Sequence, residues 1–165
     1  MQRIALLSDT PNYLDPKIYK YFEECDQIWH AGDIGTISIM DRLAAIKPVM
    51  AVYGNIDGQD VRAVYGKNER WMCEKVDVLM THIGGYPDNY SAEAHGLIKA
   101  NVPKLFICGH SHILKVMYDK KYNLLHINPG AAGVHGFHKV KTLVRFTVDV
   151  DKIKDLEVIE LGERG

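Results

Sequence analysis

Apolar residues fall in short runs along the first two thirds of the chain, and each run ends abruptly in polar residues able to carry chemistry. Ile4-Ala5-Leu6-Leu7 leads into Ser8-Asp9, Ile28-Trp29-His30-Ala31 into Gly32-Asp33, and Val49-Met50-Ala51-Val52 into Gly54-Asn55. Val76-Asp77-Val78-Leu79-Met80 ends in Thr81-His82, and Leu105-Phe106-Ile107-Cys108 in Gly109-His110-Ser111-His112. Runs of this length, rich in β-branched and aliphatic residues, predict buried strands. Between them, Lys17 to Glu24, Ser38 to Ile46 and Ser91 to Ala100 have helical character. In the second, Ile39, Met40, Leu43 and Ile46 recur at three- and four-residue spacing to give one apolar face, which Pro48 closes. Ser91 is placed to cap the third, and Asn101 and Pro103 end it.

Beyond His112 the runs are Leu114 to Tyr118, Leu124 to Ile127, Thr142 to Val150 and Leu156 to Leu161, with a polar Asp119 to Asn123 connection between the first two. This half predicts antiparallel strands added to the sheet. No repeat, low-complexity tract or Gly/Ser linker divides the chain, so one domain over residues 1–165 is expected. The predicted class is α/β, with two stacked mixed sheets flanked by helices.

Composition narrows the function more than the fold. An apolar share of 47%, a charged share of 25% and a formal charge of −1 offer no broad attraction for extended nucleic acid or an anionic membrane. The apolar part of the amino terminus is too short for a signal peptide and no run approaches spanning length, which favours the cytoplasm. Cys25, Cys73 and Cys108 are odd in number and lack a Cys-x-x-Cys pair, so reduced thiols are expected rather than disulfides or a thiolate zinc site.

Carboxyl-terminal strand ends lie side by side in an open α/β sheet, so Asp9, Asp33, Asn55, His82, His110 and His112 are predicted to share one crevice. Carboxylate and imidazole donors with an added amide oxygen suit manganese, iron or zinc. A carboxylate between two cations can bridge them and hold a shared water that ionises near neutral pH, and Asp33, in a tight Ala-Gly-Asp turn, is the bridging candidate. Gly32, Gly54 and Gly109 precede proposed ligands and permit sharp turns there. Small phosphorylated compounds are the corresponding substrate class.

The order Asp9-Thr10-Pro11, Gly32-Asp33, Gly54-Asn55, His82 and Gly109-His110-Ser111-His112 resembles the calcineurin-like metallophosphoesterases, in particular their small single-domain bacterial and archaeal phosphodiesterases. Asn128-Pro129-Gly130 and Gly54-Asn55-Ile56-Asp57 are similar to further segments of the small members. The resemblance spans nearly the whole chain and implies a four-layer α-β-β-α sandwich. It also implies a dinuclear site, with manganese as the expected metal and iron, zinc or nickel as alternatives. Asp33 would bridge both cations, Asn55, His82 and His110 would complete one, and Asp9 and His112 would bind the other. Hydrolysis would proceed by attack of a metal-bridging hydroxide on a phosphodiester, with Asp33 and His110 at the reacting centre and Asp57 orienting its neighbours.

Two departures qualify that expectation. The family's first block is Asp-x-His, whereas this chain has Pro11, which offers no donor atom, so the Asp9 and His112 cation is expected to be weakly held. Asn12, Asp15 or a His folded in from elsewhere could compensate. Ile56 stands where larger members place a proton-donating His, which favours aryl over alkyl phosphodiesters because their leaving groups need less protonation. His30 reads as a core or outer-shell residue, His95 as solvent-facing, and Tyr13, Tyr86 and Tyr90 as half-buried. His135 and His138 lie in a Gly-rich loop that reads equally as mobile surface or as facing substrate phosphate. The alternative to an enzyme is a non-catalytic protein-binding scaffold that keeps the fold, as in the retromer subunit related to this family. A homo-oligomer is compatible with either.

Overall fold

The computed structural model describes residues 1–165. Its elements are β1 (Gln2–Leu7), α1 (Ile18–Glu23), β2 (Gln27–His30), α2 (Ile37–Ala44), β3 (Val49–Ala51), α3 (Gln59–Arg62), β4 (Asn68–Cys73) and β5 (Val76–Thr81). They continue with β6 (Gly85–Tyr86), β7 (Asn89–Tyr90), α4 (Ala92–Ala100), β8 (Leu105–Ile107), β9 (Lys115–Asp119), β10 (Leu124–Asn128), β11 (Val140–Asp149) and β12 (Lys152–Glu163).

Two five-stranded mixed sheets form, in the orders β12-β11-β1-β2-β3 and β4-β5-β8-β10-β9, beside a small β6-β7 hairpin. Each large sheet contains a parallel triplet, β1, β2 and β3 in one and β5, β8 and β10 in the other, and its remaining neighbours are antiparallel. The sheets pack face to face through Ile4, Leu6, Trp29 and Phe146 on one side and Val78, Met80, Leu105 and Ile107 on the other. Trp29 lies edge-on to Trp71 at 5.0 Å and to Phe146 at 5.6 Å, filling the middle of that layer.

The opposite face of β1, carrying Ala5 and Leu7, packs with Ile18 and Phe22 of α1 and Ile39, Met40 and Leu43 of α2. Ala94 and Ile98 of α4 cover the outer face of the second sheet against Leu79 and Phe106. The layers are therefore α-β-β-α. Strands covered on both faces need apolar side chains at every position, which is why β1, β2 and β8 read as continuous runs rather than alternations. Ser91 caps α4, its Oγ accepting the Ala94 N–H at 3.2 Å.

Five elements depart from expectation. β4 is an edge strand with the sequence Asn-Glu-Arg-Trp-Met-Cys. Its Arg70 lies across to Asp77 of β5 at 2.6 Å, so charges on a partly exposed edge mask its period. α3 is a single turn and β6-β7 pairs only two residues per strand, lengths too short to leave a periodic trace. β12 begins at Lys152, earlier than its apolar part suggests, because pairing with β11 carries the polar Lys152 to Asp155 stretch into the ladder.

Candidate metal centre

The two parallel triplets point their carboxyl-terminal ends the same way, and the turns beyond them interlock. Asp9 N–H donates to the Gly32 carbonyl and Thr10 N–H to the Asp33 carbonyl, each at 3.0 Å. Gly109 N–H donates to the His82 carbonyl at 2.9 Å. Across the sheets, His110 N–H donates to Asp9 Oδ2 at 3.1 Å, and His82 Nδ1–H donates to the Ala31 carbonyl at 2.7 Å. All six residues read from the sequence as ligands come together in this way.

Four of them, Asp9, Asp33, His110 and His112, have φ of 55°, 56°, 70° and 62°, the left-handed region that non-glycine residues rarely adopt. Such conformations cost energy and persist where surrounding structure enforces them, characteristically at functional sites. The strained turns aim side chains back over the strand ends. His112 Nε2 lies 3.2 Å from Asp9 Oδ1, and His82 Nε2 lies 3.3 Å from Asp33 Oδ2 and 3.7 Å from Asp9 Oδ1. His110 Nδ1 lies 3.1 Å from Asn55 Oδ1. Atoms of Asp33, His82 and His110 able to ligate a metal all fall within 4.8 Å of one another.

The hydrogen bonding leaves a gap at the centre of this cluster. Asp9 Oδ2 accepts from Ser8 Oγ at 2.7 Å and from His110 N–H, while Asp9 Oδ1 is buried with no hydrogen bond of good geometry, the Nε2 atoms of His112 and His82 standing 3.2 Å and 3.7 Å from it. His82 spends its Nδ1–H on Ala31, and its buried Nε2 likewise has none. A carboxylate oxygen and an imidazole lone pair left unsatisfied side by side fit a divalent cation. Burial alone would raise the Asp9 pKa, but contacts from His112, His82 and Ser8 together outweigh it and hold the carboxyl below its ordinary range. Burial would lower His82, yet the Asp33 contact and the charges of Asp9 and Asp33 carry it above the usual imidazole value.

Close packing leaves no freedom at two glycines. Gly32 has φ of +101°, and a Cβ there would stand 2.6 Å from His82 Nδ1. A Cβ at Gly54 would collide with the backbone N and carboxylate of Asp33. Asp57 is buried beneath this turn: Oδ2 accepts from Gly54 N–H at 2.7 Å and Ile34 N–H at 3.1 Å, and Oδ1 from Gly35 N–H at 2.8 Å. Its carboxylate faces backbone amides rather than the gap, so it is a positioning residue. His30 is fully buried, with Nδ1 accepting from Gly32 N–H at 3.1 Å and Nε2 3.0 Å from Thr10 Oγ1. Burial pushes its pKa down to about 3, so it remains neutral.

Of the residues that could compensate for Pro11, Asp15 is committed to Lys141 at 2.7 Å and Asn12 lies exposed. His138 is the histidine that lies beside His112. Its ring sits 5.1 Å from that of His112, Nε2–H donates to the Gly133 carbonyl at 2.8 Å, and Nδ1 is buried without a partner. His135 is exposed. Asn128 ties the end of β10 to the His-containing turn, its Nδ2 donating to the Gly109 carbonyl and to Ser111 Oγ, both at 3.0 Å. His95, read as solvent-facing, instead has Nε2 2.8 Å from the Tyr122 hydroxyl.

Neither Ser8 nor Arg62 stands out in the sequence as a functional residue. Ser8 is visible only as the residue before Asp9. Arg62, on the one-turn α3, donates to the Asp57 carbonyl at 2.6 Å and stacks on Tyr53 at 4.4 Å. It lines a cavity of about 370 Å³ with Asn55, Lys67 and His82. A second cavity, of about 500 Å³, opens on the other side along His110, His112, Ile113, Phe137 and His138.

The family model for the calcineurin-like phosphoesterase superfamily domain matches residues 2–151. The chain belongs to this superfamily. Among superfamily relatives it is 24% identical over 168 residues to a probable metallophosphoesterase of Methanothermobacter thermautotrophicus, covering 96% of this chain and 92% of that protein. A solved structure described as a novel archaeal phosphodiesterase shares the fold with a TM-score of 0.75 at 18% identity, over 95% of this chain and 99% of that one. Vps29 from Chaetomium thermophilum does so with a TM-score of 0.75 at 12% identity, over 99% and 100%. The superfamily assignment supports phosphoester hydrolysis and agrees with a fold of two mixed sheets and with the Asp and His group at their junction. No helix is long and apolar enough to cross a membrane.

Proposed function

We propose that this chain is a metal-dependent phosphodiesterase acting on small phosphodiesters in the cytoplasm, with Mn2+ as the working metal at a dinuclear site. The observation that carries the reading is the pair of buried, unpartnered donor atoms, Asp9 Oδ1 and His82 Nε2, facing each other beside Asp33. Asp33 would serve both cations, with Asn55, His82 and His110 completing one position and Asp9 and His112 the other. Bound divalent cations supply Lewis-acid polarisation of the phosphoryl group and a water ionised near neutral pH.

The protein's own residues hold this arrangement. Ala31 fixes the tautomer of His82 that presents Nε2, Ser8 fills one oxygen of Asp9 so that the other faces the gap, and the Ile56 N–H holds Asp33 Oδ1 at 3.1 Å. Ile56 is half exposed at the turn where a proton donor would be needed and carries no acid, so stable leaving groups are favoured. Pro11 leaves the Asp9 and His112 position with fewer protein donors and hence weaker occupancy. A second reading, a protein-binding scaffold, draws on that missing donor and on the shared fold with Vps29.

Metal-stripped protein titrated with Mn2+ against bis(p-nitrophenyl) phosphate, with p-nitrophenyl phosphate in parallel, separates the two. The expected result is saturable Mn2+-dependent turnover that is faster on the diester. In Pro11→His the half-saturating Mn2+ concentration should fall about tenfold. No turnover at saturating metal, even in Pro11→His, selects the scaffold.

A further inference from the structure

His126 on β10 is fully buried, and neither of its ring nitrogens has a hydrogen-bond partner. The contrast with His30 is direct, because that equally buried ring has both nitrogens engaged by Thr10 and Gly32. Native structures rarely leave such a group unpaired, and an exception calls for an occupant. His126 borders a cavity of about 300 Å³ that Tyr86, Ser111, Ile113, Lys115 and Asn128 also line. Its other neighbours are apolar surfaces that cannot pair it: the ring of Phe106 at 5.9 Å and that of Tyr90 at 6.4 Å, whose hydroxyl is spent on Asp119.

The cavity adjoins the candidate metal centre. Ser111 lies between His110 and His112, and Ser111 and Ile113 border both this cavity and the one along those histidines. Ser111 and Ile113 are therefore walls common to both cavities, and an ester arm of a phosphoryl group held at the ligand cluster would reach the second cavity by passing over them. We propose that this cavity is the subsite for a planar nitrogen heterocycle, such as a nucleobase, carried by that arm, with the buried imidazole of His126 pairing its hydrogen-bonding edge. The location of the arm rests on the phosphodiesterase reading; the binding of the ring does not.

The lining selects this class. Tyr86 and Ile113 border the cavity with an aromatic ring and an aliphatic side chain, and the Lys115 ammonium lies over the Tyr86 ring, 4.6 Å from its centre. Burial, reinforced by Lys115, keeps His126 neutral, with its pKa near 4. A neutral imidazole presents one N–H and one lone pair, which suits a ring carrying both donors and acceptors. An alkyl chain or plain phenyl ring would leave both nitrogens unpaired, and sites built to hydrogen-bond discriminate strongly against partners lacking the group.

The test follows the His126 ring resonances in the full chain, isotope-labelled at histidine, metal-free and zinc-loaded, during titration with uridine, phenol and methyl phosphate. Uridine is expected to shift His126 saturably and bind about tenfold more tightly than phenol, with methyl phosphate leaving the resonance in place. In His126→Phe, which keeps a ring in the buried slot, the preference for uridine should vanish. Uridine that leaves His126 unmoved, or that binds no better than phenol, overturns the proposal, and the wild-type titration decides this even if the variant fails to fold. Uridine binding in a protein that hydrolyses no aryl diester would keep the subsite and reject the phosphodiesterase. Hydrolysis with an unmoved His126 would do the reverse.

Discussion

Asp57 illustrates what a residue's surroundings add to its identity. In sequence it is a carboxylate three residues after Gly54, and nothing there tells whether it faces an ion or the backbone. Packing turns it toward three N–H groups, those of Ile34, Gly35 and Gly54, so it fastens the Asp33 turn to the Asn55 turn. Asp57→Ala would strand these donors, and we expect a loss of about 2–4 kcal/mol in chemical denaturation with an unchanged denaturant slope. The convergence of the six predicted ligands was legible for the opposite reason: each lies within four residues of the end of an apolar run, and the strand end dictates where it goes. Ser8 and His126 were not, because hydrogen bonding to Asp9 and the lack of any partner are properties of tertiary contact.

At the scale of elements, legibility followed burial. Strands covered on both faces were recognised by their continuous apolar runs, and α2 by its single apolar face, whereas β4 and α3 were missed for being a charged edge and a single turn. The hairpin between β11 and β12 holds one further feature that a sequence does not display. Val150 sits there with φ of 57°, half exposed, a conformation in which a β-branched side chain is strained. Its N–H and carbonyl bond Glu74 and Lys75, which any residue would preserve. Val150→Asn should therefore raise stability by about 1 kcal/mol in denaturant titration. No gain would mean that the turn carries no strain.

For the whole molecule, the sandwich aligns two parallel triplets so that residues from Asp9 to His112 meet at one end, at the cost of burying His30 and His126 in the layers behind them. Their folded pKa values, about 3 and about 4, lie below the ordinary 6.5, so the unfolded chain takes up protons that the folded one refuses. The stability they confer is fully present above pH 6.5 and is lost as pH falls, by about 1.4 kcal/mol per pH unit for each. His82, shifted upward, acts only above pH 6.5 and with the opposite sign. Unfolding free energies of metal-free protein should thus drop steeply from pH 6.5 to 5, and His126→Phe should reduce that slope by about one proton's worth. The central claim is that these strand ends form a dinuclear catalytic site joined by Asp33. Metal content and aryl phosphodiester turnover, measured on the same Mn2+-equilibrated samples of wild type and Asp33→Ala, test it most directly. Two cations per wild-type chain with turnover, and loss of both in the variant, is the predicted result; an Asp33→Ala protein that keeps its metal and its turnover would contradict it.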